Sequence, residues 1–64
     1  STSAEMVEKL EKDLAEANTQ IDRIEKLLAS DFGKKAPPQV VSKEEEKLAS
    51  YKETARKIRE QLGN

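Results

Sequence analysis

The chain has 64 residues, 39% of them charged, with a net charge of −1 and no cysteine or histidine. That excludes a disulfide framework, Cys- or His-ligated metal and His-dependent catalysis, and so short a chain buries only a small core. No apolar run approaches the ~20 residues needed to span a bilayer, and no signal-peptide pattern is present. The opening Ser1-Thr2-Ser3 reads as a linker end or cloning remnant, as expected of an excised fragment.

The first element is an amphipathic helix. Val7, Leu10, Leu14, Ala17, Ile21, Ile24 and Leu28 follow one another in steps of three and four, which places 7, 14, 21 and 28 at heptad position a and 10, 17 and 24 at d. Thr2 and Glu5 form a capping box, so the helix is expected over about residues 3–30.

A tip loop is expected over about residues 31–37. It contains the sole Phe, one of two Gly and the Pro37-Pro38 pair. Phe32 is expected to fold over Leu28 and Val40 or Val41 and close the end of the seam, a burial worth about 1.5–3 kcal/mol. Gly33 is expected to let the chain reverse. Pro37, preceding a proline, is excluded from helix, and Pro38 suits the first helical position. Lys34 and Lys35 project from this tip, with no acidic residue between Gly33 and Lys43.

The second long helix is expected over about residues 38–62, with Val41, Leu48, Ala55 and Leu62 at a and Tyr51 and Ile58 at d. Glu44 occupies the remaining d position. Ser42 with Glu45 offers a competing start one turn later, and Gly63 stands where a left-handed C-cap belongs. The short connection makes the fold an all-α, two-helix antiparallel coiled-coil hairpin. The loop length favours a register in which facing residue numbers sum to 65: Val7 with Ile58, Leu10 with Ala55, Leu14 with Tyr51, Ala17 with Leu48, Ile24 with Val41. A shift of one heptad is the alternative. In the favoured register Glu44 lies beside Ile21 and leans to solvent.

Charge is split between the halves. Residues 1–31 carry four basic and eight acidic side chains, and residues 32–64 carry eight and five. Opposite signs favour the hairpin over pairing of two first helices, so a monomer is expected, with weak or domain-swapped dimers as the alternative. Glu11 is expected to face Lys52 or Arg59. Lys52, Arg56 and Arg59 read mainly as partners of the first helix.

The run FGKKAPPQVVSKEEEKLASYKETARKIREQL, Phe32 to Leu62, resembles the C-terminal coiled-coil arm of bacterial-type valyl-tRNA synthetase. The matching residues are Phe32, Lys35, Ala36, Pro37, Val40, Val41, Lys47, Leu48 and Tyr51, and F-x-x-K-A-P-x-x-V-V is the specific part. Departures are Ser30-Asp31, where an Asn-Pro-like element is usual, and Pro38, where Glu is common. The resemblance implies a cytoplasmic tRNA-binding appendage that contacts the elbow of tRNA(Val) and helps position it. Its partners are tRNA(Val) and the rest of the parent valine–tRNA ligase, with no membrane. ATP is implied for the parent only. No catalytic residue, metal site or cofactor is expected in these 64 residues.

The phosphate-contacting candidates are Arg23, Lys26, Lys34, Lys35, Lys43 and Lys47. Contact with about four phosphates gives a salt slope of roughly −3. Two other readings are a nucleic-acid-binding arm of an ABC-F-type ATPase, which lacks the K-A-P-x-x-V-V loop, and a purely structural coiled coil.

Overall fold

A computed structural model describes residues 3–63. Helix α1 spans Ala4–Ala29, a short helix α2 spans Asp31–Lys35, and α3 spans Pro38–Leu62. The two long helices pack antiparallel into a rod of 47 × 15 × 14 Å. The buried core is Leu10, Ala17, Ile24, Ala55 and Ile58, all at a or d positions. The remaining seam residues, among them Leu14, Ile21, Leu28, Val41, Leu48 and Tyr51, are half-buried, as a two-helix rod requires.

Local chemistry sets the ends. Ser3 caps α1 by accepting a hydrogen bond from the Met6 N–H at 3.2 Å. Thr2, expected as the cap, lies outside the described residues. At the far end of α3, Gly63 adopts φ 83°, the one positive φ among the described residues, and its N–H returns to Glu60 O and Arg59 O. Pro37 stands just outside α3 at ψ 144° and Pro38 opens it. The alternative start at Ser42 is not used. The proline pair supplies fixed φ values and needs no donor at N1.

The tip is not an open loop. Ser30 leaves α1 with ψ −177°, donates its N–H to Lys26 O and Leu27 O, and offers Oγ to the Phe32 N–H at 3.3 Å. One side chain therefore caps α2 where α1 ends. A β-carbon added to Gly33 would lie 1.9 Å from the Leu28 carbonyl oxygen, so α2 is seated directly on the end of α1. Gly33 is thus required for close approach, and its φ is not positive. Phe32 is half-buried, as are Leu28 and Val41, whereas Val40 remains 40% exposed and does not help to close the layer.

The register differs from the one favoured by loop length. Glu25 Oε2 and Lys52 Nζ are 3.1 Å apart across the seam. With facing numbers summing to 65, Lys52 would be level with residue 13, about 18 Å along the axis from Glu25, beyond the reach of the two side chains. The one-heptad shift leaves a gap of about 7.5 Å, which they span. Rod length agrees. The shifted register carries α3 past the end of α1, and the pair then spans about 45 Å, against about 39 Å for α1 alone. This register faces Ala17 with Ala55, and their exposures of 4% and 1% fit a close, small-small layer. It also explains Met6, 51% exposed beyond the end of α3.

The physical reason for the difference lies at the tip. The connecting residues coil into α2 on top of α1 and do not form a symmetrical loop, so α3 begins farther out. Glu44 consequently faces Leu28, not Ile21. Its side chain is only 16% exposed and accepts a hydrogen bond from Lys47 at 3.1 Å, so it does not lean into solvent.

Candidate nucleic-acid interface

Helix geometry divides the six basic candidates into two groups. Lys26 bridges to Asp22 at 3.0 Å, Lys35 to Asp31 at 4.0 Å, and Lys47 to Glu44 at 3.1 Å. Each is an i,i+3 or i,i+4 pair formed within its own helix, and the lysines are at least 60% exposed. Such pairs are worth about 0.2–1 kcal/mol and open readily, but a phosphate must compete with a resident carboxylate.

Arg23, Lys34 and Lys43 form the second group. None has an ion-pair partner among the described residues. All three are exposed. Arg23 donates from Nε and Nη2 to Gln20 Oε1, at 3.2 and 3.0 Å, so a neutral amide holds its guanidinium. Lys34 stands on α2, which ends in Lys34 and Lys35 where the helix dipole favours cations. Lys43 sits in the second turn of α3. Three uncompensated cations at one end of a stiff rod can neutralise three phosphates, for a salt slope of roughly −2 to −3.

The structural tip residues have distinct roles. Gly33 seats α2, Pro37 and Pro38 start α3, and Val41 lines the seam, while Val40 presents an apolar side chain to solvent beside Lys43. Gln20 is not among the residues named from sequence, and Glu44 is named there only as a d position leaning to solvent, not as a partner of Lys47. Gln20 was signalled by its i,i+3 spacing to Arg23, and Glu44 by the same spacing to Lys47.

Toward the base, pairing departs from expectation in part. Lys52 does bind a first-helix carboxylate, Glu25. Arg56 instead bonds Glu53 and Glu60 of its own helix, and neither Arg59 nor Glu11 has an ion-pair partner among the described residues. The helical i,i+3 and i,i+4 spacings satisfied Arg56 before the neighbouring helix could. The hydrogen bond from Arg56 holds the Glu53 carboxyl below its usual value, and that same bond raises the Arg56 guanidinium. Among the described residues no group of three or more acidic side chains is arranged to hold a metal, and no helix is long and apolar enough to cross a membrane.

A basic tip on a stiff, monotonous helical rod fits a binding appendage, and the comparison with known families agrees. The family described as valyl tRNA synthetase tRNA binding arm matches residues 3–64, essentially the whole chain. No solved structure matches it. The chain therefore belongs to the valyl-tRNA synthetase tRNA-binding arm family.

Proposed function

We propose that this arm contacts the elbow of tRNA(Val), where the D and T loops meet, and helps to position it for aminoacylation by a parent valine–tRNA ligase. The parent would carry out ATP-dependent activation of valine in the cytoplasm, in domains other than this one. The arm's share is affinity and orientation, supplied by a rod whose length carries basic groups away from the parent's body.

The observation that carries this reading is that the tip end of the rod holds Arg23, Lys34 and Lys43 without carboxylate partners among the described residues, whereas Lys12, Lys57 and Arg59, also without one, stand at the base end among Glu5, Glu8, Glu11, Asp13 and Glu16. With a net charge of −1 the chain has no overall attraction for RNA, so binding has to be local to the tip and strongly salt-dependent. In the parent, tethering raises the arm's effective concentration at the tRNA, so modest intrinsic affinity suffices.

The test is a residue-resolved NMR titration of the isotope-labelled chain with tRNA(Val) at low and moderate salt. Shifts concentrated at Arg23, Lys26 and residues 34–47, and weakening with salt, are expected. Shifts spread along the rod, or centred on Lys52 to Arg59, would contradict a tip-directed contact.

A further inference from the structure

The tip is electrostatically two-sided. The Glu25–Lys52 bridge marks one edge of the helix seam, because the two residues occupy the same heptad position, e, on facing helices. On that side, over the outer half of the rod, stand Asp22, Glu25 and Glu45 at positions b and e; Lys26 bridges Asp22 from position f, Lys52 bridges Glu25, and among the described residues no unpaired cation occupies a b or e position there. The opposite side carries positions c and g. There Arg23, Lys43 and Lys47 share the surface with Gln20, Leu27 and Val40, and no carboxylate occupies a c or g position in the same stretch. The one acidic group beneath it, Glu44, belongs to the seam and is largely withdrawn from water beside Lys47.

Resting on the RNA-binding reading above, we infer that the Gln20–Arg23–Lys43–Lys47 edge is the face laid against RNA phosphates, with Gln20 as the residue that positions Arg23, while the Asp22–Glu25–Glu45 edge faces away. Charge complementarity selects the side: a phosphate backbone approaching the second edge meets Glu45, unpaired among the described residues, and two carboxylates whose lysines are already engaged, whereas the first edge offers Arg23 and Lys43 without resident carboxylates. Gln20 is half-buried and accepts two hydrogen bonds from one guanidinium, which leaves Nη1 unengaged by the arm. A glutamate there would satisfy the same geometry but cancel the charge. The neutral amide holds Arg23 in place without competing with a phosphate. In the observed register Lys43 lies about 9 Å along the axis from Arg23, so the two reach different phosphates.

The test places one negative charge on each edge at nearly the same level. Wild type, Gln20→Glu and Asn18→Glu are titrated with tRNA(Val) by fluorescence anisotropy across a salt series, with helicity checked by circular dichroism. Gln20→Glu is expected to weaken binding several-fold at low salt and to flatten the log-affinity against log-salt slope by about 1, as one phosphate contact is lost. Asn18→Glu, on the e edge, is expected to leave the slope unchanged. Gln20→Ala should weaken binding with a smaller change in slope, because it frees the guanidinium without neutralising it. Equal effects of the two glutamate substitutions, or a larger one from Asn18→Glu, would overturn the sidedness while leaving tRNA binding standing. Failure of the wild-type chain to bind at low salt would overturn the proposed function and this inference together.

Discussion

Gly33→Ala is the substitution for which helix propensity and packing give opposite answers. Gly33 lies within α2, and an alanine there should gain about 1 kcal/mol of helix propensity, with a further fraction from a less flexible unfolded chain. The structure forbids that gain. The new methyl carbon would sit 1.9 Å from the Leu28 carbonyl oxygen and 2.8 Å from its carbon, both backbone atoms that no rotamer change can move. Relief to ordinary contact requires a displacement of α2 by about 1.5 Å, or its release from the end of α1. Overpacking of this kind costs about 1–3 kcal/mol, and release would uncover the half-buried Phe32 and Leu28. After the propensity gain is deducted, a net loss of about 1 kcal/mol remains, or a Tm lower by roughly 4–8 °C for a domain of this size. Thermal melting followed by circular dichroism measures it, with Lys34→Ala as the control in the same short helix. Amide shifts should be confined to residues 27–41. A Tm that rises in Gly33→Ala would refute the seating of α2 on Leu28.

Three further outcomes follow from the same geometry. Cysteines at Ala17 and Ala55 should cross-link readily under mild oxidation, while a pair at Ala17 and Leu48 should not; the reverse result would restore the register summing to 65. Glu44→Leu should raise the Tm, since a side chain 16% exposed at a seam position would become apolar opposite Leu28. It should also steepen the salt dependence of tRNA binding by releasing Lys47, and a lower Tm at unchanged oligomeric state would show that the carboxylate stabilises the tip. Glu53 has a carboxyl held below its usual value by Arg56, so its stabilising effect is present above the ordinary carboxylate range and disappears as pH falls through the lowered value. Wild type should therefore melt above Glu53→Gln at neutral pH and converge with it in acid, whereas a gap that persists at low pH would assign the difference to something other than ionisation.

The sequence displayed its architecture because a heptad period is a property of each helix separately. Leu10, Ala17 and Ile24 could be read as one stripe without knowing what covers them, and Pro38 and Gly63 mark the ends of α3 through their own backbone limits. The register was a different kind of question. A heptad pattern matches itself after every seven residues, so the choice rested on the connection, and an unstructured loop was the wrong length standard for residues that coil into α2. The signal for α2 was present in Ser30-Asp31, a cap residue followed by an acidic first turn, but it competed with Gly33 read as a turn former. Charge followed the same logic. Most ion pairs among the described residues join groups three or four apart within one helix, which is why Arg56 stayed on its own helix and Lys26, Lys35 and Lys47 found carboxylates. Arg23, Lys34 and Lys43 escaped this for identifiable reasons. No acid stands three or four residues from Arg23 on either side, where Gln20 fills one of those positions; Asp31, three before Lys34, is taken by Lys35; and Lys43 has an acid at these spacings only in Glu46, with which it does not pair. The charges left over for a polyanion at the tip thus follow in large part from the scarcity of acids at two helical spacings, a feature as local as the capping residues and as readable once the helices are placed.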